Sequence, residues 1–372
     1  MKRHINYYFL AVAAFLVAFG ILFLATLSAI ASLQVFGTAN HYLLRQLARI
    51  FIGLVAGFIL FKMPLPWLKK AAPWLLLANL LVLASVFIAG NTFWGATRWL
   101  SIGGVTFQPS EFLKITAIVY LAALISSRYS ETKKRGWVHL AKKGYDDIVR
   151  VFLPFLICLG IIAVILALQP DISTLGIISL TMLVVYFASS TSLWHSLLIV
   201  VGGVGSLLAL VYFEPYRAQR LLTFLNPEAD PLGKGFQLKQ SLIAMGSGGW
   251  FGKGWGMSVQ KFGFLPQAMT DSIFAILGEE TGIIGCGILI AAFLLFLWLG
   301  FKIAHAATDR FSKLTAVGIT TWITLQAFIN IASTTGMFPL SGLPLPFFSY
   351  GGSHIIAELM GVGILLNISK NG

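Results

Sequence analysis

"MKRHINYYFLAVAAFLVAFGILFLATLSAIAS", residues 1–32, decides the class of this chain. Its basic start and the small residues near its end fit the outline of a secretory signal. The apolar run is longer than the roughly 7–15 residues of a signal core, and many further apolar runs follow, so it reads as an uncleaved first membrane helix. A bilayer core about 30 Å thick takes roughly 20 apolar residues per helix, and about ten such runs can be marked out. We place them at 8–30, 43–61, 72–90, 111–126, 150–168, 171–189, 193–213, 271–301, 314–336 and 351–369. Composition agrees: 58% of the 372 residues are hydrophobic and 10% charged, where soluble domains carry about a quarter charged. The fold expected is an all-α integral membrane protein. It is a single domain over residues 1–372, a polytopic bundle with a long extracytoplasmic loop, 214–270, between helices seven and eight.

Charge orients the bundle. With a cytoplasmic N-terminus, that side collects Lys2, Arg3, Lys62, Lys69, Lys70, Lys302, Arg310, Lys313, Lys370 and the basic residues of "RYSETKKRGWVHLAKKGYDDIVR", 128–150. The short outer loops have only Arg45, Arg49, Arg98 and Lys114 near them, which makes both termini cytoplasmic. The net charge of +13 is then a topology signal plus attraction to anionic membrane lipids, and nucleic acid is not an expected partner. Cys158 and Cys286 both lie in apolar runs, as packing residues do.

Inserts as long as 214–270 usually serve function or are disordered. This one opens with "YRAQRLLTFLNPEADP", 216–231, where Arg217 and Arg220 precede an apolar run. That pattern predicts a short amphipathic helix on the membrane surface, ended by Asn226 and Pro227. "GFQLKQSLIAMGSGGWFGKGWG", 235–256, follows as an apolar half-helix running into a Gly-rich turn. Backbone amides and Lys253 there offer an anion cradle, although no P-loop or dinucleotide fingerprint is present. "MFPLSGLPLPFFSYGGS", 337–353, predicts broken backbone at membrane depth, tolerated where it lines a cavity.

Ionisable residues at membrane depth are costly and are functional candidates by default. Asp271 sits in "LPQAMTDSIFAILGEETG", 265–282, at the expected start of the eighth helix, with Ala275, Gly278, Gly282 and Gly285 on one small-residue face beneath it. Such a face lets neighbours approach closely, while an aspartate at a helix start also suits an N-cap; both readings stand at this point. Glu111 and Lys114, three apart in "GATRWLSIGGVTFQPSEFLKI" (95–115) with Arg98 upstream, have the spacing of an ion pair, or of a pair snorkelling at a helix end. Asp171 follows Gln169 and Pro170 at the start of a span, where a turn alone would explain it. Glu279 and Glu280 lie too deep for caps and read as structural pairing residues. His354 and Glu358, four apart, suit a buried hydrogen bond; no HExxH or CxxC spacing suggests zinc.

Taken in order, "GATRWLSIGGVTFQPSEFLKI", "QPDISTLG", "QSLIAMGSGGWFGKGWG", "QKFGFLPQAMTDSIFAILGEETG" and "LPLPFFSYGGSHIIAELMGVGILLNISK" resemble the SEDS family, the FtsW and RodA type of bacterial cell-wall polymerase. The resemblance implies a glycosyltransferase that polymerises lipid II, the undecaprenyl-diphosphate disaccharide-pentapeptide, at the outer face of the cytoplasmic membrane beside a class B penicillin-binding protein. It places the family's essential aspartate on Asp271, its outer Arg, Glu and Lys on Arg98, Glu111 and Lys114, and its QPD aspartate on Asp171. Arg217, Arg220, Gln240, Lys253, Thr270 and Ser349 complete the expected substrate contacts. The family usually writes Pro-Glu-Ala-His-Thr-Asp-Phe where this chain has Pro266 to Ser272, and it usually lacks an acid where Glu358 stands.

Such a reaction needs a base for the acceptor hydroxyl and positive charge for the leaving diphosphate. Asp271 is assigned the first task. Arg98, Lys114, Arg217 and Arg220, with or without a divalent cation (Mg or Mn), are assigned the second. A lipid II flippase or a scaffold for the penicillin-binding protein are the competing functions. A transporter needs charges lining a path to both faces, whereas these candidates gather on the outer side.

Overall fold

The computed structural model describes residues 5–93, 96–102, 105–128, 148–189, 223–226, 228, 230 and 233–371, with Gly202 and Gly205. The helices are α1 (Tyr7–Phe36), α2 (His41–Lys62), α3 (Leu65–Ala89), α4 (Pro109–Arg128), α5 (Leu153–Leu168), α6 (Ile172–Ala188), α7 (Lys234–Gly248), α8 (Ile273–Ala306), α9 (Arg310–Thr334) and α10 (Ser353–Asn371). Apart from 193–213, which lies outside the described residues except for Gly202 and Gly205, every expected span falls on one of them. Six (α1, α2, α3, α4, α8 and α9) are long and apolar enough to cross a membrane, and α5 and α6 are shorter apolar helices. α3 starts earlier than expected because Pro64 and Pro66 sit at its N-terminus, where a missing N–H costs nothing. The predicted surface helix with Arg217 and Arg220 lies outside the described residues, except for a helical turn at 223–225.

One element was not expected. Asn91–Phe93, Ala96–Ile102 and Val105–Phe107 (β1, β2 and β3) form a small antiparallel sheet in the order β1-β2-β3. The β-branched and aromatic residues of this segment suit strands, and β2 carries Arg98.

α4 and α9 form the centre, with 72% and 83% of their most apolar windows buried against 22% for α2 and α3. Side-chain packing is the force available inside lipid, and the α2–α10 seam shows it: a Cβ added at Gly57 would lie 2.6 Å from the carbonyl oxygen of Leu359, and one at Gly53 2.7 Å from its Cδ1. The two ends of the chain meet, since the Asn6 amide donates to Ser369 Oγ at 3.4 Å. Asn367 Nδ2, in the last turn of α10, donates to the carbonyls of Leu60 and Met63 nearby. Lys62 and Lys370 both lie over the Phe61 ring there, so both termini share one basic end. Cys158 and Cys286 are free thiols.

α8 is broken at Gly282 (φ 64, ψ −163), and the break is filled by the Gly-rich loop. The amides of Ile283 and Ile284 donate to the carbonyls of Gly249 and Trp250, while Lys253 and Gly254 donate to the carbonyls of Glu279 and Glu280. These four bonds satisfy the amides of Ile283 and Ile284 and the carbonyls of Glu279 and Glu280 within the protein, as membrane depth demands. The small-residue face of α8 therefore receives α7 and its loop: a Cβ at Gly278 would sit 3.5 Å from Met245 Cα, and one at Gly282 2.5 Å from the Gly252 nitrogen.

Candidate active site

Asp271 does not cap α8. The helix begins at Ile273 with Ser272 at the N-cap position, and Asp271 belongs to the turn before it. Gln267, in the left-handed region at φ 54, accepts the amides of Thr270 and Ser272 on its carbonyl at 3.0 and 3.2 Å, and this backbone turn displaces the expected cap. Three elements hold the turn. Asn330 of α9 bridges the carbonyls of Asp271 (2.9 Å) and Leu343 (2.7 Å). In the segment after α9, Ser349 Oγ donates to the Thr270 carbonyl at 2.6 Å, and the Tyr350 amide donates to Met269 at 2.8 Å. From α7, Gln237 Nε2 donates to Ser272 Oγ at 3.0 Å. Asp271 itself is half-buried, and a Cβ at Gly342 (φ 68) would be 3.7 Å from its Oδ2.

Gly342 also links Asp271 to the second group of charges. Ser173 of α6 donates to the carbonyl of Ser341, two residues after Asp171. Asp171 does cap its helix, accepting the Thr174 amide at 3.4 Å, and it accepts Ser110 Oγ at 3.2 Å. Arg98 reaches over from β2: its Nε donates to the Gln169 carbonyl at 3.0 Å and its Nη2 to that of Pro170, with Nη1 3.8 Å from Asp171 Oδ1. A guanidinium has five N–H donors, so Arg98 keeps several for an anion, and its side chain is 28% exposed.

Lys114 is placed differently from the expectation. It is 1% exposed, and its ammonium donates to both oxygens of Glu111 at 2.8 Å and to Gln326 Oε1 at 2.9 Å. An ammonium has three hydrogens, so none remains for a diphosphate. The pair does not snorkel; it ties α4 to α9, where Trp322 Nε1 also donates to Gln326 and Gln326 Nε2 donates to the Pro344 carbonyl.

The Gly-rich loop also departs from the anion-cradle reading. Glu279 accepts Lys253 Nζ (2.7 Å), the amides of Val259 and Gln260, and Ser258 Oγ. Glu280 accepts the amides of Gly256 and Ser258 and Lys261 Nζ. The amides of Gly256, Ser258, Val259 and Gln260 and one donor of Lys253 thus go to two buried carboxylates, the pairing expected of Glu279 and Glu280, while the Lys253 side chain stays 35% exposed. Gln240 is half-buried on α7; the glutamine that α7 sends to the Asp271 turn is Gln237. Thr270 donates to Gln267 Oε1 at 2.8 Å, and Ser349 acts as a brace beneath the turn.

The sequence reading missed Asn330, Gln237, Gln46 and the position of Arg49. Gln46 bonds the carbonyl of Ser349 and the amide of Gly351. Arg49 stacks on Tyr350 at 4.9 Å, and its Nη1 is buried without a hydrogen-bond partner among the described residues. Gln326 with Asn330, and Gln46 with Arg49, are polar pairs at helical spacing in apolar helices, and that was the signal available. Among the described residues no three His, Cys, Asp or Glu side chains converge as metal ligands.

The family profile described as "Cell cycle protein", that of FtsW, RodA and SpoVE, matches residues 6–372. The chain belongs to the SEDS family. This SEDS chain is 36% identical over 368 residues to the probable peptidoglycan glycosyltransferase FtsW of Hydrogenovibrio crunogenus, covering 98% of this chain and 91% of the relative. It is likewise 36% identical to the stage V sporulation protein E of Bacillus subtilis, covering 95% and 94%. Among solved structures it resembles the rod shape determining protein RodA of Thermus thermophilus (TM-score 0.69, 26% identity, 98% and 96% covered). It also resembles a chain from work titled "Structural coordination of polymerization and crosslinking by a peptidoglycan synthase complex" (TM-score 0.75, 25% identity, 98% and 97% covered). Like other SEDS members, it is a multi-pass membrane protein.

Proposed function

We propose that this protein is a peptidoglycan glycosyltransferase that polymerises lipid II at the outer face of the bacterial cytoplasmic membrane, with both termini cytoplasmic and a class B penicillin-binding protein as partner. The names of its relatives support the reaction class. The observation that carries the assignment of the base is the turn at Asp271: side-chain bonds from Asn330 and Ser349 and a backbone bond from Tyr350 hold the carbonyls of the turn that carries this half-buried carboxylate. Such a carboxylate is preorganised for proton transfer.

In this reading Asp271 takes the proton of the acceptor's sugar hydroxyl as that oxygen attacks the donor's anomeric carbon. The α-linked undecaprenyl diphosphate leaves from the opposite side, so the new linkage is β. Arg98 keeps donors for the leaving diphosphate, and Arg49 offers a second cation at the same end of α2 as Gln46. Arg217 and Arg220, outside the described residues, remain proposed contacts. A Mg or Mn ion, where one takes part, would be held chiefly by the diphosphate oxygens, which leaves Asp271 free as the base.

The test is purified protein in detergent with lipid II and no other enzyme. Glycan formed by the wild type excludes a flippase or a scaffold. Asp271→Ala and Asp271→Asn should give no polymer while remaining folded and membrane-inserted; normal polymer from either sinks the base. An arm with EDTA reports on the cation.

A further inference from the structure

Glu358 is an acid on α10 that the Asp271 chemistry does not use. It is 1% exposed, and its Oε1 has no hydrogen-bond partner among the described residues. Its Oε2 accepts one bond, from the amide of Phe347 at 2.8 Å. One backbone bond is a poor return for burying a carboxyl group, so the residue that donates it is informative.

Phe347 stands at φ 63, in the left-handed region that β-carbon sterics disfavour. Its carbonyl rests where Gly20 of α1 lacks a side chain, and its ring packs on Phe296. The next ring, Phe348, packs on Phe19 and Phe23. This strained residue starts the bend that delivers Ser349. The Ser349 amide returns to the Leu345 carbonyl, the Leu345 amide bonds Ser349 Oγ at 2.8 Å, and that same Oγ holds the Thr270 carbonyl, one residue before Asp271. His354, one turn before Glu358 on α10, bonds the Ser349 carbonyl at 3.2 Å. The two residues therefore do not pair with each other: both brace the 345–350 bend.

We infer that Glu358 is a positioning residue, whose carboxyl oxygen pins the left-handed bend at Phe347 and through Ser349 fixes the turn that carries Asp271. The inference rests on the reading of Asp271 as the base. It requires an acceptor at that point rather than a charge, so Glu358→Gln, which keeps a carbonyl oxygen for the Phe347 amide, should polymerise lipid II at close to the wild-type rate. Glu358→Leu, of similar bulk without an acceptor, should lower kcat by about tenfold to a hundredfold, the cost of misplacing a reacting group by about an ångström, and should leave KM for lipid II nearly unchanged. Ser349→Ala added to Glu358→Leu should cost little more than the worse single variant, because both act on one path.

Hydrogen exchange of the folded protein in detergent provides a readout independent of turnover: amides of 267–272 and 345–350 should exchange faster in Glu358→Leu and at the wild-type rate in Glu358→Gln. Glu358→Leu with unaltered exchange in both segments, Glu358→Gln as slow as Glu358→Leu, or additive costs with Ser349→Ala would each overturn the inference. Failure of the underlying reading is seen separately, as full activity in Asp271→Asn whatever Glu358 does.

Discussion

Lys114→Met should destabilise the folded protein severely, and a second substitution, Glu111→Gln, should restore most of the loss. At the 2.8 Å separation of this pair and an effective dielectric of about 20, the attraction is about 6 kcal/mol. Removing the ammonium forfeits it while the Glu111 carboxylate, 3% exposed, stays desolvated, and losing one partner of a buried pair typically costs about 3–5 kcal/mol. The double variant removes both charges and keeps a neutral amide of the same shape at position 111, so little of the penalty should remain. The assay is the fraction of protein surviving a heating series in detergent as a monodisperse peak, with lipid II polymerisation measured on what survives. The expected pattern is a fragile single variant and a double variant that is robust and still polymerises. Wild-type stability in Lys114→Met, or a double variant as fragile as the single, would refute the buried-pair argument. A robust but inactive double variant would refute its consequence, that Lys114 has nothing left to give the diphosphate.

Gly282→Ala, at φ 64 with a Cβ 2.5 Å from the Gly252 nitrogen, should lose about 1–3 kcal/mol to backbone strain alone and expel the Gly-rich loop; Gly287→Ala on the same helix, where a Cβ meets nothing within 4 Å, should be neutral in the same heating series. Gly57→Ala places its Cβ 2.6 Å from the Leu359 carbonyl and should cost about 1–3 kcal/mol by overpacking the α2–α10 seam, whereas Gly160→Ala, with open space around it, should not.

Membrane class and most spans were legible because bilayer thickness sets helix length directly, and composition then leaves few alternatives. The small-residue stripe Ala275, Gly278, Gly282 and Gly285 was legible as a close-approach surface, but not its occupant: a missing Cβ admits backbone as readily as a helix side, and here the loop 249–254 inserts its own amides and carbonyls. Charge was legible as cost but not as pairing. Glu111 and Lys114 at i and i+3 fit a surface pair or a buried one equally well, and only Gln326, 212 residues away, distinguishes them. Arg49 was counted as a loop charge because its neighbour in space, Tyr350, is equally remote in sequence.

The same distinction bears on the departures beside Asp271. Gln267 and Met269 replace side chains that the family usually places there, which suggested that the aspartate's surroundings were altered. Yet Met269 contributes its carbonyl to Tyr350, and Gln267 contributes its carbonyl to Thr270 and Ser272; at Gln267 the side chain adds only the bond from Thr270 Oγ1. Backbone acceptors are the same whichever residue supplies them. The turn presenting Asp271 is therefore built from backbone acceptors that substitution at these two positions leaves in place, while the Met269 side chain packs against the hydrophobic core.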